Sequence, residues 1–260
     1  MIEGWFGLSP AMLALAAAAV VVAGVVRGYA GFGFSAMVVG TLAIVISPAQ
    51  IVPVMYLMEI AASLSLLPAI RRHIDWSWLT PLAIANIITT PLGVWMLTRF
   101  NEDTLRLMVA LSLLVLSTIL LTGYSRPDSG RPVGGSLRWT TGGVSGVMSG
   151  IAAVGGLAVA AMFLLTGVAA AQLRATMIAL LFVMDIWALG LSYAGGIVHW
   201  QTFALACALA PAMVVGIRLG HRLYHRDMSR DVGQQAFRQR ISILLFTLAL
   251  AGLLRTWLVN

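Results

Sequence analysis

Between Pro10 and Leu258 the chain runs from one apolar stretch to the next, interrupted by arginine, glycine and proline. The stretches are 10–27, 33–47, 50–70, 76–98, 104–123, 140–154, 156–167, 171–194, 200–217 and 241–258. A helix that crosses a hydrocarbon core of about 30 Å needs about 20 mostly apolar residues. Most of the stretches are of comfortable or near-comfortable length, whereas 33–47, 140–154 and 156–167 are short. Short apolar runs are more often re-entrant or interfacial. Only 10% of the residues are charged and 60% are hydrophobic, against roughly 25% charged in a soluble globular chain. A soluble enzyme, a disordered tail and a nucleic-acid module are therefore improbable. The expected class is an all-α, multi-pass integral membrane protein.

Smaller features narrow this further. The first ten residues hold Glu3 and no arginine, so they lack the cationic start of a secretory signal. Leu13–Val26 reads instead as a first membrane segment. The single cysteine, Cys207, allows no intrachain disulfide and no thiolate cluster. All sixteen cationic residues are arginine. With no lysine there can be no GxxxxGKS/T phosphate loop. The sequence calls for no cofactor, metal or nucleic acid.

The glycines carry an internal repeat. GVVRGYAGFGFSA (Gly24–Ala36) and GVMSGIAAVGGLA (Gly146–Ala158) align at an offset of 122, which places Gly24, Gly28, Gly33 and Ala36 on Gly146, Gly150, Gly155 and Ala158. Ala49-Gln50 falls on Ala171-Gln172 at the same offset. Asp75-Trp76 meets His199-Trp200 at 124, and Gly93 meets Gly216 at 123. The expected organisation is a first repeat over 1–123, a cytoplasmic linker over 124–139 and a second repeat over 140–260. Each repeat holds a Gly-broken pair of segments followed by three transmembrane helices.

Arginine placement sets the expected topology, because short cytoplasmic loops are enriched in Lys and Arg. If each Gly-broken pair goes in and returns, the second repeat is inverted and both termini lie outside. Arg27, Arg71, Arg72, Arg126, Arg131, Arg138, Arg174, Arg218, Arg222, Arg226, Arg230, Arg238 and Arg240 are then cytoplasmic. Only Arg99, Arg106 and Arg255 remain outside. Two full crossings and a re-entrant hairpin satisfy this parity equally. The short segments favour hairpins in the second half, and the first half stays open. The basic loop 218–240 reads as an anchor on anionic lipid headgroups, with His221 and His225 in a solvated cytoplasmic segment. Trp5, Trp139, Trp200 and Trp257 at segment ends suit an aromatic belt.

Inverted repeats with interrupted helices are the sequence signature of secondary transporters. Broken backbone at membrane depth must be buried in protein or line a wet cavity. A half-helix N-terminus there offers free N–H groups and positive potential to an anion. The candidate breaks are Gly31 and Gly33 in the first repeat, and Gly155 and Gly156 in the second. The plainer alternative is close helix packing over small residues. Gln50 and Gln172 share one repeat position, where each either caps a helix or hydrogen-bonds an oxyanion. Arg27 and Arg174 flank the breaks; a guanidinium fork matches sulfonate or carboxylate oxygens, and the alternative is snorkelling to headgroups. Glu59 and Asp185 are acids deep inside membrane segments, on similar faces one turn apart relative to the glutamines. They either titrate and couple protons to transport or serve as static partners of arginine.

Together, the Gly-rich break, the following Ala/Pro-Gln corner, the loop Arg71-Arg72-His73-Ile74-Asp75-Trp76 and their recurrence after a central basic stretch resemble the TauE/SafE family. These are the sulfite-exporter-like, or 4-toluene sulfonate uptake, permeases. The resemblance covers roughly 20–258. It implies transport of sulfite, sulfonates or related sulfur-containing or organic anions across a bacterial inner membrane. Many members carry three consecutive glycines and a proline a few residues later. Here Gly31-Phe32-Gly33 and Val154-Gly155-Gly156 lack that proline, so the substrate does not transfer with the family. The rival class is a membrane assembly subunit or membrane-embedded enzyme. Against an enzyme, His73, His199, His221 and His225 lie in loops or at segment ends.

Overall fold

A computed structural model describes residues 10–43, 46–121, 135–164 and 168–228. The expected span 241–258, most of the linker, Trp5 and Trp257 lie outside the described residues. The described residues are helical and contain no strand. In order, the helices are α1 (Pro10–Ala30), α2 (Phe34–Leu42), α3 (Pro48–Ile70, continued by a 3-10 turn Arg71–His73), α4 (Trp76–Arg99), α5 (Glu102–Leu121), α6 (Gly135–Ala152), α7 (Gly155–Leu164), α8 (Ala170–Ala194) and α9 (Trp200–Met228).

Local chemistry accounts for the boundaries. Pro48 opens α3 at its first turn, where a missing N–H leaves nothing unpaired. Asp75 caps α4 by accepting the Ser77 N–H at 2.9 Å. Asn101 does the same for α5 through the Thr104 N–H at 2.9 Å. α6 starts at Gly135, inside the stretch expected to be linker.

Among the described residues, five helices are long and apolar enough to cross a membrane: Pro10–Ala30, Pro48–His73, Trp76–Arg99, Ala171–Ala194 and Trp200–Asp227. At 1.5 Å per residue, α2 and α7, with 9 and 10 residues, reach only about 14–15 Å and cannot span. Each broken pair is thus one long and one short helix.

α3 and α8 form the centre. Of their spans 61% is buried, against 33–39% for the other three. Around them, α1 crosses α9 and α4 crosses α6 at backbone contact. A Cβ on Gly28 would stand 2.3 Å from the Ile217 carbonyl oxygen, and one on Gly220 only 2.0 Å from that of Val25. At the other crossing, a Cβ on Gly150 would meet the Gly93 Cα at 2.7 Å. Thr89 adds an interhelical hydrogen bond to the Gly143 carbonyl at 2.7 Å. Small residues at such seams let backbones touch, which is how helices gain contact in lipid. The outer faces carry exposed Leu15, Ile88, Leu92, Trp95 and Val215. Trp139 and Trp200 are also exposed, as an aromatic belt requires.

One expectation needs correcting. The basic stretch after 217 is not a loop at first, because α9 continues to Met228. Gly220 and Tyr224 on its inner face are buried, while Arg218, Arg222 and Arg226 are exposed. An amphipathic helical continuation satisfies both faces.

Candidate functional site

The first break begins where Gly31, with φ +86, turns the chain out of α1. A left-handed conformation of this kind suits glycine and ends many helices. Arg27, wholly buried, folds forward over this end. Its Nη1 donates to the Gly31 carbonyl, and its Nη2 donates to Ser63 Oγ at 2.6 Å. Arg27 Nε lies 3.0 Å from Glu59 Oε2, an ionic contact rather than an aligned hydrogen bond. Glu59 Oε1 in turn accepts from the Ser35 N–H at 3.3 Å and from Ser35 Oγ at 2.8 Å.

The arrangement follows helix electrostatics. Carbonyls at the C-terminus of α1 carry partial negative charge and receive the guanidinium. N–H groups at the start of α2 carry partial positive charge and receive the carboxylate. The ion pair therefore ties both sides of the break to α3.

Arg174, from the first turns of α8, reaches the same end of α1. Its Nη2 donates to the Gly28 carbonyl at 2.7 Å and lies 3.1 Å from His221 Nδ1. The guanidinium sits 4.3 Å from the centre of the Tyr224 ring, within cation–π range. His221, expected to be solvated, is thereby drawn to the helix bundle.

The second break uses neutral groups. Ala153, φ 56, follows the end of α6, and its N–H donates to the Ser149 carbonyl at 2.8 Å. The Tyr56 hydroxyl lies 2.6 Å from the Ser149 carbonyl oxygen and 3.1 Å from that of Gly150, donating toward both. Ser145 Oγ donates to the Gly155 carbonyl at 2.9 Å. At the repeat offset of 122, Ser149, Leu157 and Leu181 stand where Arg27, Ser35 and Glu59 stand in the first repeat.

Both breaks line one cavity. It is a small, open-sided cavity bounded by Gly33, Ser35, Ala36, Glu59, Ala153, Val154, Gly156, Leu157 and Leu181. One wall is Ser35 and Glu59; their repeat equivalents, Leu157 and Leu181, make the facing wall apolar. The first N–H groups of α7, at Gly155 and Gly156, have no intrahelical acceptor, and Gly156 borders the cavity.

The other expected site residues fall in several places. Gly31 lies in the first break against the Arg174 side chain, and Gly155 lies in the second against Ser145 and Ser149. Arg27 stands directly behind Glu59. Arg174 is buried at the α1 end and does not border the cavity. Asp185 is 3% exposed, one turn along α8 from Leu181, and its Oδ2 has no hydrogen-bond partner among the described residues. Gln172 Nε2 donates to Asp75 Oδ2 at 2.6 Å, far along α8 from the cavity. Gln50 is exposed.

Ser35, Ser63, Tyr56, Ala153 and Leu181 were not singled out by sequence. Ser35 had a legible signal, being a polar residue two positions after a glycine break. Leu181 had one too, as the repeat equivalent of Glu59.

The helices and the paired breaks define a multi-pass membrane protein whose interrupted helices meet in its core. The chain belongs to the sulfite exporter TauE/SafE family, whose model matches residues 16–252. That membership implies a membrane exporter or permease for sulfite or related anions. No curated protein matches the chain, and no solved structure does.

Proposed function

We propose that the chain is a secondary permease of the cell inner membrane for small sulfur-containing or organic anions, with its site in the cavity between the two breaks. One observation carries the reading: two helix breaks from repeat-equivalent positions border the same cavity. Breaks that served only close packing have no reason to share an opening. The N-terminus of α2 already holds Glu59, so the open anion position is the start of α7 at Gly155 and Gly156. Arg27 balances Glu59 from behind, Gly33 shapes the opposing edge, and Gly31 makes the turn that leads into it. Arg174, Gln50 and Gln172 act at greater distance; Arg174 and Gln172 fix helix ends. The apolar wall of Ala36, Leu157 and Leu181 suits an anion with an apolar substituent, as in an organosulfonate.

The proposal takes the repeats as inverted. In its support, α1 crosses α9 and α6 crosses α4, which pairs the same repeat positions in both directions. Proteoliposome flux with labelled sulfite and several organosulfonates tests the function. Saturable flux is expected, and Gly156→Leu abolishes it by filling the cavity, since even a Cβ there meets Leu181 Cδ2 at 3.0 Å. Absence of flux with every anion sinks the reading.

A further inference from the structure

The two buried acids differ in what surrounds them. Glu59 Oε1 accepts from the Ser35 N–H and hydroxyl, and Oε2, which accepts no hydrogen bond, has a counter-ion in Arg27 Nε at 3.0 Å. A proton on Glu59 would break that set and leave Arg27 without its counter-ion. Asp185 is equally buried, with an oxygen that meets no donor among the described residues. We infer that Asp185 alone binds the proton that travels with the anion, and that Glu59 is a fixed counter-ion. The inference rests on the permease reading above.

The surroundings of Asp185 support the assignment. Its charge is felt by Tyr56 of α3, and it feels the charges of Glu59 of α3 and Arg27 of α1. The Tyr56 proton is already directed at the Ser149 and Gly150 carbonyls. The described buried residues of α4, α6 and α7 include no titratable side chain. Arg71, Arg72 and His73 of the 3-10 turn are exposed, near the opposite end of α8. Asp185 thus feels the negative charge of Glu59, and the cation it feels, Arg27, is already paired with that glutamate. A further negative charge brought beside these groups by the entering anion is costly unless a proton arrives with it, and the Asp185 oxygen without a donor is the place for that proton.

Charge balance then links proton to substrate. With Asp185 ionised, Arg27, Glu59 and Asp185 sum to one negative charge. Adding a monoanion makes the total two. Adding a proton to Asp185 together with the anion returns it to one. The loaded and empty sites then carry equal charge, so neither is penalised more when the cavity changes sides. The proton comes from the aqueous phase on the entry side and is released on the other. It moves as a co-substrate, and the only bond formed and broken is the carboxyl O–H.

Two measurements test this. In proteoliposomes, wild type is expected to accumulate a monoanion about tenfold for each unit of inward pH gradient, whereas Asp185→Asn accumulates none and Asp185→Glu restores the drive. Infrared difference spectra of the purified protein between high and low pH are expected to show a carboxylic acid band that Asp185→Asn removes and Ser35→Ala leaves. The spectra need no flux, so they separate this inference from the permease reading. Exchange of anions that ignores the pH gradient in wild type overturns the inference and leaves the permease standing. A band that survives Asp185→Asn also overturns it, as does accumulation driven by sodium and lost in that variant. If Asp185→Asn does not fold, a band unmoved in Asp185→Glu has the same force.

Discussion

Arg27 and Glu59 meet at 3.0 Å with almost no solvent on either side chain, and between them they terminate one helix and start another. Neither group binds its partner alone. The guanidinium also holds Ser63 and the Gly31 carbonyl, and the carboxylate also holds Ser35. An ion pair with these additional hydrogen bonds escapes part of the desolvation penalty that burial imposes. Arranged across a helix break, it supplies each helix end with the charge its dipole favours.

Removing one partner strands the other. Glu59→Gln is expected to destabilise the fold by about 3–5 kcal/mol, as for other broken buried pairs. Arg27→Met is expected to cost a similar amount. The double variant Arg27→Met/Glu59→Gln should be more stable than the sum of the single losses predicts, because no charge is left unpaired. Thermal unfolding of the four proteins in detergent gives the coupling directly. Additive losses would show that the pair is incidental.

The glycine seams give a second prediction. Gly220→Ala places a methyl group 2.0 Å from the Val25 carbonyl oxygen, which forces α9 away from α1 and is expected to cost about 1–3 kcal/mol. Gly190 is helical and exposed, and a methyl group added there would meet nothing within 4 Å. Gly190→Ala should raise the melting midpoint, by the ~1 kcal/mol that alanine holds over glycine in a helix. Equal effects at the two positions would refute the role given to the seam.

The turn residues make a third. Ala153 holds φ 56 and Gly33 holds φ +90. Left-handed backbone costs a residue with a Cβ roughly 1–2 kcal/mol. Gly33→Ala should therefore lower the midpoint. Ala153→Gly should raise it by up to about 1 kcal/mol, once glycine's extra freedom in the unfolded chain is offset. Melting curves of both variants decide the signs.

How far the sequence could be read follows the same physics. Both breaks were visible because glycines at a fixed offset mark places where a helix stops. In the second, however, the left-handed residue is Ala153, ahead of Gly155 and Gly156, and nothing in its side chain announces it. Arg27 stood out beside a glycine run, but its partner is 32 residues away on another helix. Nothing local connects them. Gln172 was legible as a polar group at a corner, yet which polar group it meets depends on where α4 begins; the answer is Asp75. The charge run after 217 read as a loop because exposed arginines leave no mark of helicity. The buried face of Gly220 and Tyr224 decided the matter, and it appears only once α1 is in place.

The crossing of α1 with α9 also governs the order in which the chain can be assembled. Arg27 can find Ser63 and Glu59 as soon as α3 has entered the bilayer. The face of α1 that carries Gly24 and Gly28 has to wait until Gly216 and Gly220 emerge much later in synthesis. During that interval α1 is held at its end and unpartnered along its flank. A truncation before α9 would leave that flank open to any other small-residue helix. The first half is thus chemically neutralised early and mechanically closed last.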